Sequence, residues 1–412
     1  MNIYLAIVLA SIIGAYFINS TVSLLNLRAL SPELPEEFRD VYDPEQYRKS
    51  QDYTRAQTKL TFVSESLGTF LLIAFILLGG FEYADVLARS LGWHPVVTGL
   101  VFFGILFALN EIVSIPFELY SVFVIEEKFE FNRMTPGTYV TDKLKSWLLV
   151  ILIGAPIIAL IIFFFRQAGP YAWVWAWAAS AVFIFGLQYI APTVILPLFN
   201  KFTPLEEGEL RDSIENYADE QGFDLTGIYV MDGSKRSSKS NAFFTGFGSK
   251  KRIALYDTLI ENHDNDEIVS ILAHEVGHSK LGHIKKNIVL LLARLGLLFF
   301  LLSWFIDNPG LFEAFSMSNM SVYAGLVFFL LLYTPVNLVL SVFWSALSRR
   351  FEYQADRFAA KTTGRRQPMV RALKKLSRDN LSNLTPHPAH VALNYSHPPV
   401  LKRIRAIRRL SV

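Results

Sequence analysis

The chain has 412 residues, of which 52% are hydrophobic and 18% charged, and its mean hydropathy is +0.33. This composition disfavours a set of soluble domains and indicates a membrane protein. Cysteine is absent, which excludes disulfides and thiolate metal sites, so a metal would have to be bound by His, Asp or Glu. The net charge is only +3 and no basic run is interleaved with aromatic residues, so nucleic acid is not an expected partner.

Seven segments are long and apolar enough to cross a bilayer, which takes about 20 residues of helix. In chain order they are residues 3–25, 60–80, 96–116, 147–165, 171–196, 288–306 and 322–347. The first is predicted to be a retained helix and not a signal peptide, because no Lys or Arg precedes it and no small-residue cleavage pattern is clear. The sequence therefore predicts an α-helical, multi-pass integral membrane protein.

The connections that follow these segments carry, in order, six, one, four, one, eleven, none and fifteen Lys or Arg residues. High and low counts alternate, and positive charge is retained on the cytoplasmic side of a membrane. The pattern predicts a non-cytoplasmic N-terminus. It places the long connection 201–287 and the C-terminal region in the cytoplasm.

A few polar side chains fall within or near the apolar segments, where charge is costly unless it meets a partner or water. Two interpretations stay open for them: hydrogen bonds between helices, or a water-filled cavity. The residues are Glu65, Asn110, Glu111, Glu118 and Arg294.

The connection 201–287 predicts a small α+β core. ELRDSIENYADEQGF has the periodicity of an amphipathic surface helix, and three segments bounded by Gly and Lys/Ser turns predict strands. These segments are GIYVMDG, NAFFTGF and RIALYDTL. Asp264 or Asn265 is expected to cap the next helix, which carries HEVGH and is predicted to run on toward the sixth apolar segment.

The motif HEVGH, residues 274–278, predicts zinc on a helix. His274 and His278 are one turn apart and project the same way, while Glu275, rotated by about 100°, can hold a water without binding the metal. HExxH also occurs by chance in proteins without zinc, so a third ligand must support it. On a continuous helix His283 points to another face, so it is interpreted as a surface or interfacial histidine whose removal leaves zinc bound.

The third ligand is expected in the segment SRRFEYQADRFAA. Glu352 lies just beyond the seventh apolar segment, and Asp356 follows it by one helical turn. Glu352 is expected to bind the metal and Asp356 to accept a hydrogen bond from a ligating histidine. The alternative is a surface charge pattern with Arg350 and Arg357 as partners. Two imidazoles and one carboxylate would hold one Zn²⁺ per chain and leave a position open, as in a catalytic site.

Seven stretches are specific in combination and in this order: VIEEKFEFN, LPLFNKFTPL, SNAFFTGF, KRIALYDTL, HEVGH, FEYQADRFA and SHPP. With these stretches the chain resembles the type I CAAX prenyl proteases, integral-membrane zinc metallopeptidases of the gluzincin group. The resemblance covers nearly the whole chain. It implies seven helices enclosing a chamber in the membrane, with a zincin-like catalytic core at the cytoplasmic end.

The resemblance also implies roles for two further motifs. Asn241, with Ala242 and Phe243, matches an edge strand that binds substrate backbone, and His397 matches a residue that stabilises the transition state. Without the resemblance, Asn241 would be a turn residue and His397 a surface histidine. With Glu275 as general base, the implied activity is endopeptidase cleavage near the C-terminus of prenylated or lipid-tethered peptides.

Other functions and settings stay open. A quality-control protease of the HtpX kind would share the chemistry and differ in substrates, whereas the complete motif set disfavours a transporter or scaffold with a vestigial metal site. A short connection between the fifth and sixth segments, and an ending RAIRRLSV without a dilysine signal, favour a bacterial inner membrane over the endoplasmic reticulum. No feature indicates an oligomeric state.

The predicted division of the chain has four parts. They are five membrane helices with their cytoplasmic loops (1–200), the catalytic core (201–287), two membrane helices (288–348) and a cytoplasmic C-terminal region (349–412).

Overall fold

The computed structural model describes residues 2–245 and 251–411. Long apolar helices dominate its N-terminal half, since a helix satisfies every backbone polar group within one segment. The helices are α1 (Ile3–Arg28), α2 (Pro44–Leu77), α3 (Gly80–Arg89), α4 (Pro95–Tyr120), α5 (Pro136–Leu149), α6 (Ala155–Gln167), α7 (Ala172–Ile190) and α8 (Leu196–Phe199). One π-helical turn joins α5 to α6, and another joins α7 to α8.

A four-stranded sheet and three helices form the core that follows. The sheet has the order β1-β2-β4-β3, in which β2 and β4 are parallel and the other two pairs are antiparallel. Among the described residues, strand β3 therefore lies at an edge of the sheet. The elements are β1 (Phe202–Pro204), α9 (Glu209–Glu220), β2 (Leu225–Met231), β3 (Ala242–Thr245), β4 (Lys251–Tyr256), α10 (Asp257–Asn262) and α11 (Asn265–Lys280).

These elements confirm the predicted amphipathic helix and the three predicted strands. The last two residues of NAFFTGF lie outside the described residues. Helix α11 packs its apolar face, with Ile268, Leu272 and Val276 at four-residue spacing, into the cluster that also holds Ile253 and Leu255 of β4. This packing fixes the HEVGH helix against the sheet, because each of these side chains is almost fully buried.

Seven further helices complete the described chain, and the predicted continuous helix through HEVGH into the sixth segment is wrong. Gly282 interrupts it with a left-handed backbone conformation, φ +69°. The helices are α12 (His283–Phe305), α13 (Pro309–Ala314), α14 (Val322–Leu332), α15 (Thr334–Thr362), α16 (Arg366–Asp379), α17 (Pro388–Asn394) and α18 (Val400–Arg408).

Six of the described helical stretches are long and apolar enough to cross a membrane, and the bent pair α14 and α15 makes a seventh. Each of these stretches overlaps a predicted span. The pair bends by 56° at Tyr333, where Pro335 enters the first turn of α15 without a backbone N–H to donate. Beyond this bend α15 continues as one helix into the region of Glu352.

The polar residues of the spans are mostly paired between helices. Glu111 accepts a hydrogen bond from the indole of Trp147 at 2.7 Å and faces Lys143 at 3.0 Å, and Lys143 also pairs with Glu118 at 2.7 Å. Arg294 donates to the amide oxygen of Asn337. Hydrogen bonding between helices therefore accounts for these three of the five predicted residues.

Candidate metal centre

Helix α11 carries two of the predicted ligands. Asp264 caps it: its carboxylate accepts a hydrogen bond from the N–H of Glu267, and the Glu267 carboxylate accepts one from the N–H of Asp264. Sequence analysis offered Asp264 or Asn265 as the cap, and Asp264 fills it. One turn apart on this helix, His274 and His278 place their Nε2 atoms 3.1 Å from each other.

The glycine of HEVGH lets helix α15 approach α11 closely. A Cβ atom at Gly277 would lie 3.1 Å from the ring of Phe358 and 3.3 Å from the Cα atom of Ala355. Both distances are tighter than ordinary van der Waals contact, so a larger residue would force the two helices apart. The close crossing brings Glu352, on α15, to the two histidines.

The carboxylate of Glu352 completes a compact group of three possible ligands. Its Oε2 lies 3.3 Å from His274 Nε2, and its Oε1 lies 3.2 Å from His278 Nε2. Ligand atoms about 2.0–2.1 Å from a tetrahedral zinc lie roughly 3.3 Å from one another. The spacing and the donor set of these residues therefore fit a zinc ion.

The side chain of His274 is oriented by a buried ion pair. Asp356 Oδ1 lies 2.9 Å from His274 Nδ1, so the Nδ1–H is donated to the carboxylate and Nε2 faces the group. Arg403 donates to both oxygens of Asp356, at 2.8 and 2.6 Å. Only 4% of Glu352 and 2% of Asp356 are exposed, which excludes the alternative of a surface charge pattern.

Sequence analysis missed Arg403. It lies in the run LKRIRAIRR, where four other cations alternate with apolar residues on an amphipathic helix. Nothing in that pattern separates a buried guanidinium from its exposed neighbours. Only the packing of α18 against α15 makes Arg403 the partner of Asp356.

The same contacts set the proton affinity of His274. Burial by itself would lower its pKa, but the hydrogen bonds to Asp356 and Glu352 outweigh burial and raise the pKa to about 9. At neutral pH, a proton and a metal ion therefore compete for His274.

His283 was predicted to be a surface or an interfacial histidine, and the surface position is wrong because only 1% of the residue is exposed. Its Nδ1 lies 3.1 Å from Nδ1 of His278, its Nε2 lies 2.9 Å from Oε1 of Gln354, and its ring stacks on Phe351 with centroids 4.3 Å apart. The spacing of His283 from His278 points it to another face only on one continuous helix. The left-handed turn at Gly282 redirects the chain, so His283 faces back toward His278.

A cleft of about 150 Å³ opens beside His274. Among the residues that line it are Asn241, Ala242, Glu275 and His397. The structure thus brings four of the predicted site residues to one cleft with His274. Glu275 is half-buried there.

The exposed Asn241 and the first residue of strand β3 reach this cleft, but Phe243 does not line it. The carbonyl of Asn241 accepts a hydrogen bond from the N–H of Tyr256 at 3.1 Å, which attaches this segment to the end of β4. Phe243 packs against the ring of Tyr256, and Ala242 and Phe244 join the apolar core instead. Alternation along a strand explains the split, since successive side chains point to opposite faces.

His397 lies between helices α17 and α18 with its side chain 62% exposed. Its Nε2 is 3.3 Å from Oε1 of Glu352, and its Nδ1 is 2.9 Å from the hydroxyl of Ser396. An ionised carboxylate only accepts, so Nε2 carries the hydrogen and Nδ1 accepts from Ser396. Arg349 holds this loop by donating to the carbonyls of Val391 and Tyr395 at 2.9 and 2.8 Å.

The fold and the ligand group define a membrane-embedded metallopeptidase, and comparisons with known proteins agree. Residues 23–201 match the family model of the CAAX prenyl protease N-terminal region with five membrane helices, and residues 204–411 match peptidase family M48. The chain belongs to peptidase family M48, whose metallopeptidases depend on zinc. It is a zinc metalloendopeptidase.

Relatives cover nearly the whole chain. The CAAX prenyl protease 1 homolog of Oryza sativa is 38% identical over 98% of this chain and 97% of its own. CAAX prenyl protease 1 of Saccharomyces cerevisiae is 36% identical over 92% and 89%. The crystal structure of S. mikatae Ste24p matches with a TM-score of 0.93 at 34% identity, over 98% of this chain and 99% of that one. These matches confirm the predicted class, a helical membrane chamber protein with a zincin-like core.

Proposed function

We propose that this protein hydrolyses peptide bonds near the C-terminus of prenylated peptides, with zinc held by His274, His278 and Glu352. The observation that carries the proposal is the mutual spacing of the three ligand atoms, 3.1 to 3.3 Å, beside a cleft that Glu275 lines. A structural zinc site would be closed by a fourth side chain and would have no use for an adjacent carboxylate.

Bound zinc supplies Lewis acidity, which makes water a better nucleophile and polarises the scissile carbonyl. Glu275 is the general base: its carboxylate takes a proton from the attacking water and later delivers it to the leaving amine. Asp356 keeps His274 in the orientation described above. Its partner Arg403 balances the buried negative charge, so the carboxylate stays ionised next to the site.

His397 donates from Nε2 to the oxygen that becomes negative in the transition state, a contribution often worth about 3 kcal/mol for one donor. The free edge of β3 binds the substrate as an added antiparallel strand, through the backbone near Asn241 and Ala242. Phe243 contributes through the backbone of the same strand, since its side chain packs on Tyr256.

The substrate class follows from relatives and from the setting of the site. The proteins that match over nearly their whole length are named CAAX prenyl proteases. Glu352 lies on α15, which continues from the seventh span, so the ligand group lies next to apolar membrane helices where a lipid-bearing peptide can keep its apolar tail out of water. A broad quality-control protease would need the same catalytic groups, so the distinction rests on substrates.

The proposed setting is a membrane with the catalytic core and C-terminal region in the cytoplasm and the N-terminus on the other side. The alternation of Lys and Arg between spans supports this orientation. The relatives reported above are eukaryotic and give no support to the expected preference for a bacterial inner membrane. We retain the four-part division of the chain at residues 200, 287 and 348 as a proposal.

The direct test compares the wild-type protein with Glu275→Gln. Purified wild-type protein is expected to cleave a farnesylated CAAX peptide, and the variant to retain its zinc while losing cleavage by about 10²-fold or more, because the amide cannot accept the proton. Product is measured by mass spectrometry and zinc by elemental analysis. Normal hydrolysis by Glu275→Gln would show that another group is the base.

The matched substrate control is the same peptide without its farnesyl group. Preferential cleavage of the farnesylated form supports the proposed substrate class. Equal cleavage of both forms, together with capture of assorted damaged membrane proteins by Glu275→Gln, would replace that class with a quality-control function.

A further inference from the structure

We propose that His283 is a positioning residue that fixes the tautomer and ring orientation of His278, so that His278 presents Nε2 to zinc. The inference rests on the metal ligands of the proposed function. It assigns a role to a buried histidine that is outside the ligand group and does not line the catalytic cleft.

The hydrogen positions follow from the acceptors along the chain of contacts. Oε1 of Gln354, 2.9 Å from His283 Nε2, can only accept, so Nε2 of His283 carries the hydrogen. A neutral imidazole then has its lone pair on Nδ1, 3.1 Å from His278 Nδ1. His278 therefore donates from Nδ1, and its Nε2 lone pair faces Glu352 and His274.

The opposite arrangement is incompatible with a ligand at Nε2. If the amide group of Gln354 donated to His283 Nε2, then His283 Nδ1 would carry a hydrogen and donate to His278 Nδ1. His278 would then hold its own hydrogen on Nε2, pointing into the metal group. The side chain of Gln354 thus selects the tautomers of two histidines in series.

The surroundings hold this arrangement in place. His283 is 1% exposed, and its ring lies parallel to Phe351, at 11° between planes, which leaves little freedom of rotation. The left-handed Gly282 makes the contact possible, because it separates α11 from α12 and turns His283 back toward His278. Both ring nitrogens have a polar partner, whereas an aromatic residue used only for packing would need neither.

Three variants separate orientation from packing. His283→Phe keeps the ring and its stacking on Phe351 but removes the acceptor for His278. His283→Asn places an amide oxygen close to the position of Nδ1 and restores the acceptor. Gln354→Met removes the distal acceptor and leaves His283 itself intact.

Zinc affinity is measured by chelator competition on the purified full-length protein in detergent, with the absorption spectrum of the cobalt-substituted protein as a second readout. His283→Phe is expected to weaken zinc binding 10- to 100-fold and to shift the cobalt spectrum. His283→Asn is expected to restore affinity to within a few-fold of wild type, and Gln354→Met to lie between the two.

Two results would overturn the inference: wild-type affinity and spectrum in His283→Phe, or equally weak binding in His283→Phe and His283→Asn. The melting temperature of the zinc-free variants shows whether folding is retained. If His283→Phe does not fold, the comparison of Gln354→Met with wild type decides the question by the same readouts.

The experiment also separates failure of the inference from failure of the proposed ligands. His278→Ala is included, and it must lose far more affinity than any His283 variant. If His278→Ala binds zinc as wild type does, the ligand assignment is wrong and the inference falls with it. None of these readouts depends on which peptide the enzyme cleaves.

Discussion

The two histidines of HEVGH face the same metal group but are supported in opposite ways. His274 rests on a buried carboxylate that is itself paired with a guanidinium, Asp356 with Arg403. His278 rests on a neutral imidazole and a neutral amide, His283 and Gln354. Both arrangements leave Nε2 free to bind metal.

The two sets of partners differ in the energetic cost of losing one member. A buried charge is costly unless it is paired, so the Asp356 side depends on every member being present. The His278 side holds no net charge, and loss of one hydrogen bond there leaves a single polar atom unsatisfied. We therefore expect substitutions on the first side to affect folding, and those on the second to affect mainly the metal.

The largest expected effect comes from Arg403→Met. It leaves the Asp356 carboxylate buried without its cation, which costs about 3–5 kcal/mol. Thermal unfolding of the zinc-free protein in detergent should show a large fall in melting temperature. The matched control is Arg405→Met on the same helix, whose exposed guanidinium pairs with Glu37 and whose loss should change the melting temperature little.

On the neutral side, Gln354→Met should cost only about 1–3 kcal/mol by the same thermal measurement, since it removes one uncharged acceptor. An equal fall in melting temperature for Gln354→Met and Arg403→Met would remove the distinction between the two sides.

The pH dependence of zinc binding tests whether its hydrogen-bond partners raise the pKa of His274. Its pKa is raised to about 9, so below that pH the metal must displace a proton, and apparent affinity should rise with pH and level off above about 9. In the metal-free protein the raised pKa of His274 stabilises the folded state. This stabilisation is complete at pH values below about 6.5, the pKa of histidine in the unfolded chain, and is lost as the pH rises through 9.

Calorimetry in buffers of different ionisation enthalpy counts the protons released on zinc binding at pH 7 and at pH 10. More protons should be released at pH 7. Asp356→Asn should reduce the difference, because the amide does not hold the imidazolium. Equal release at both pH values in the wild-type protein would contradict the role of Asp356.

The smallest expected effect is that of Gly282→Ala, which forces a Cβ into a left-handed conformation at a cost of about 1–2 kcal/mol. A modest fall in melting temperature and a weaker zinc affinity are expected together, because the turn positions His283. Gly137→Ala in helix α5 is the control: its backbone is not left-handed, and the added Cβ meets nothing closer than 3.9 Å. It should not lower stability.

Sequence reasoning reached the spans, the strands and the three residues of the candidate ligand group because each depends on local patterns. Apolar length identifies membrane helices, alternation identifies strands, and HExxH predicts two ligands at helical spacing. Glu352 could be found because it lies on a helix face shared with Asp356. Arg403 could not, since its burial depends on how α18 packs, and its neighbours in sequence have the same composition.

The interpretation of His283 failed for a different reason. Its spacing from His278 points away only on an unbroken helix, and a glycine inside a helical pattern does not by itself show where the helix ends. Residues 322–347 were likewise predicted as one span, without the bend between α14 and α15 that Pro335 marks. Tertiary consequences of a local break are beyond pattern analysis.

The central claim is that one zinc ion binds where α11 and α15 cross. Zinc K-edge X-ray absorption of the purified protein tests it most directly. We predict one zinc per chain, with two imidazole nitrogens and oxygen ligands at about 2.0–2.1 Å. A protein without zinc, or a first shell with three or more imidazoles, would contradict the assignment of Glu352 as the third ligand.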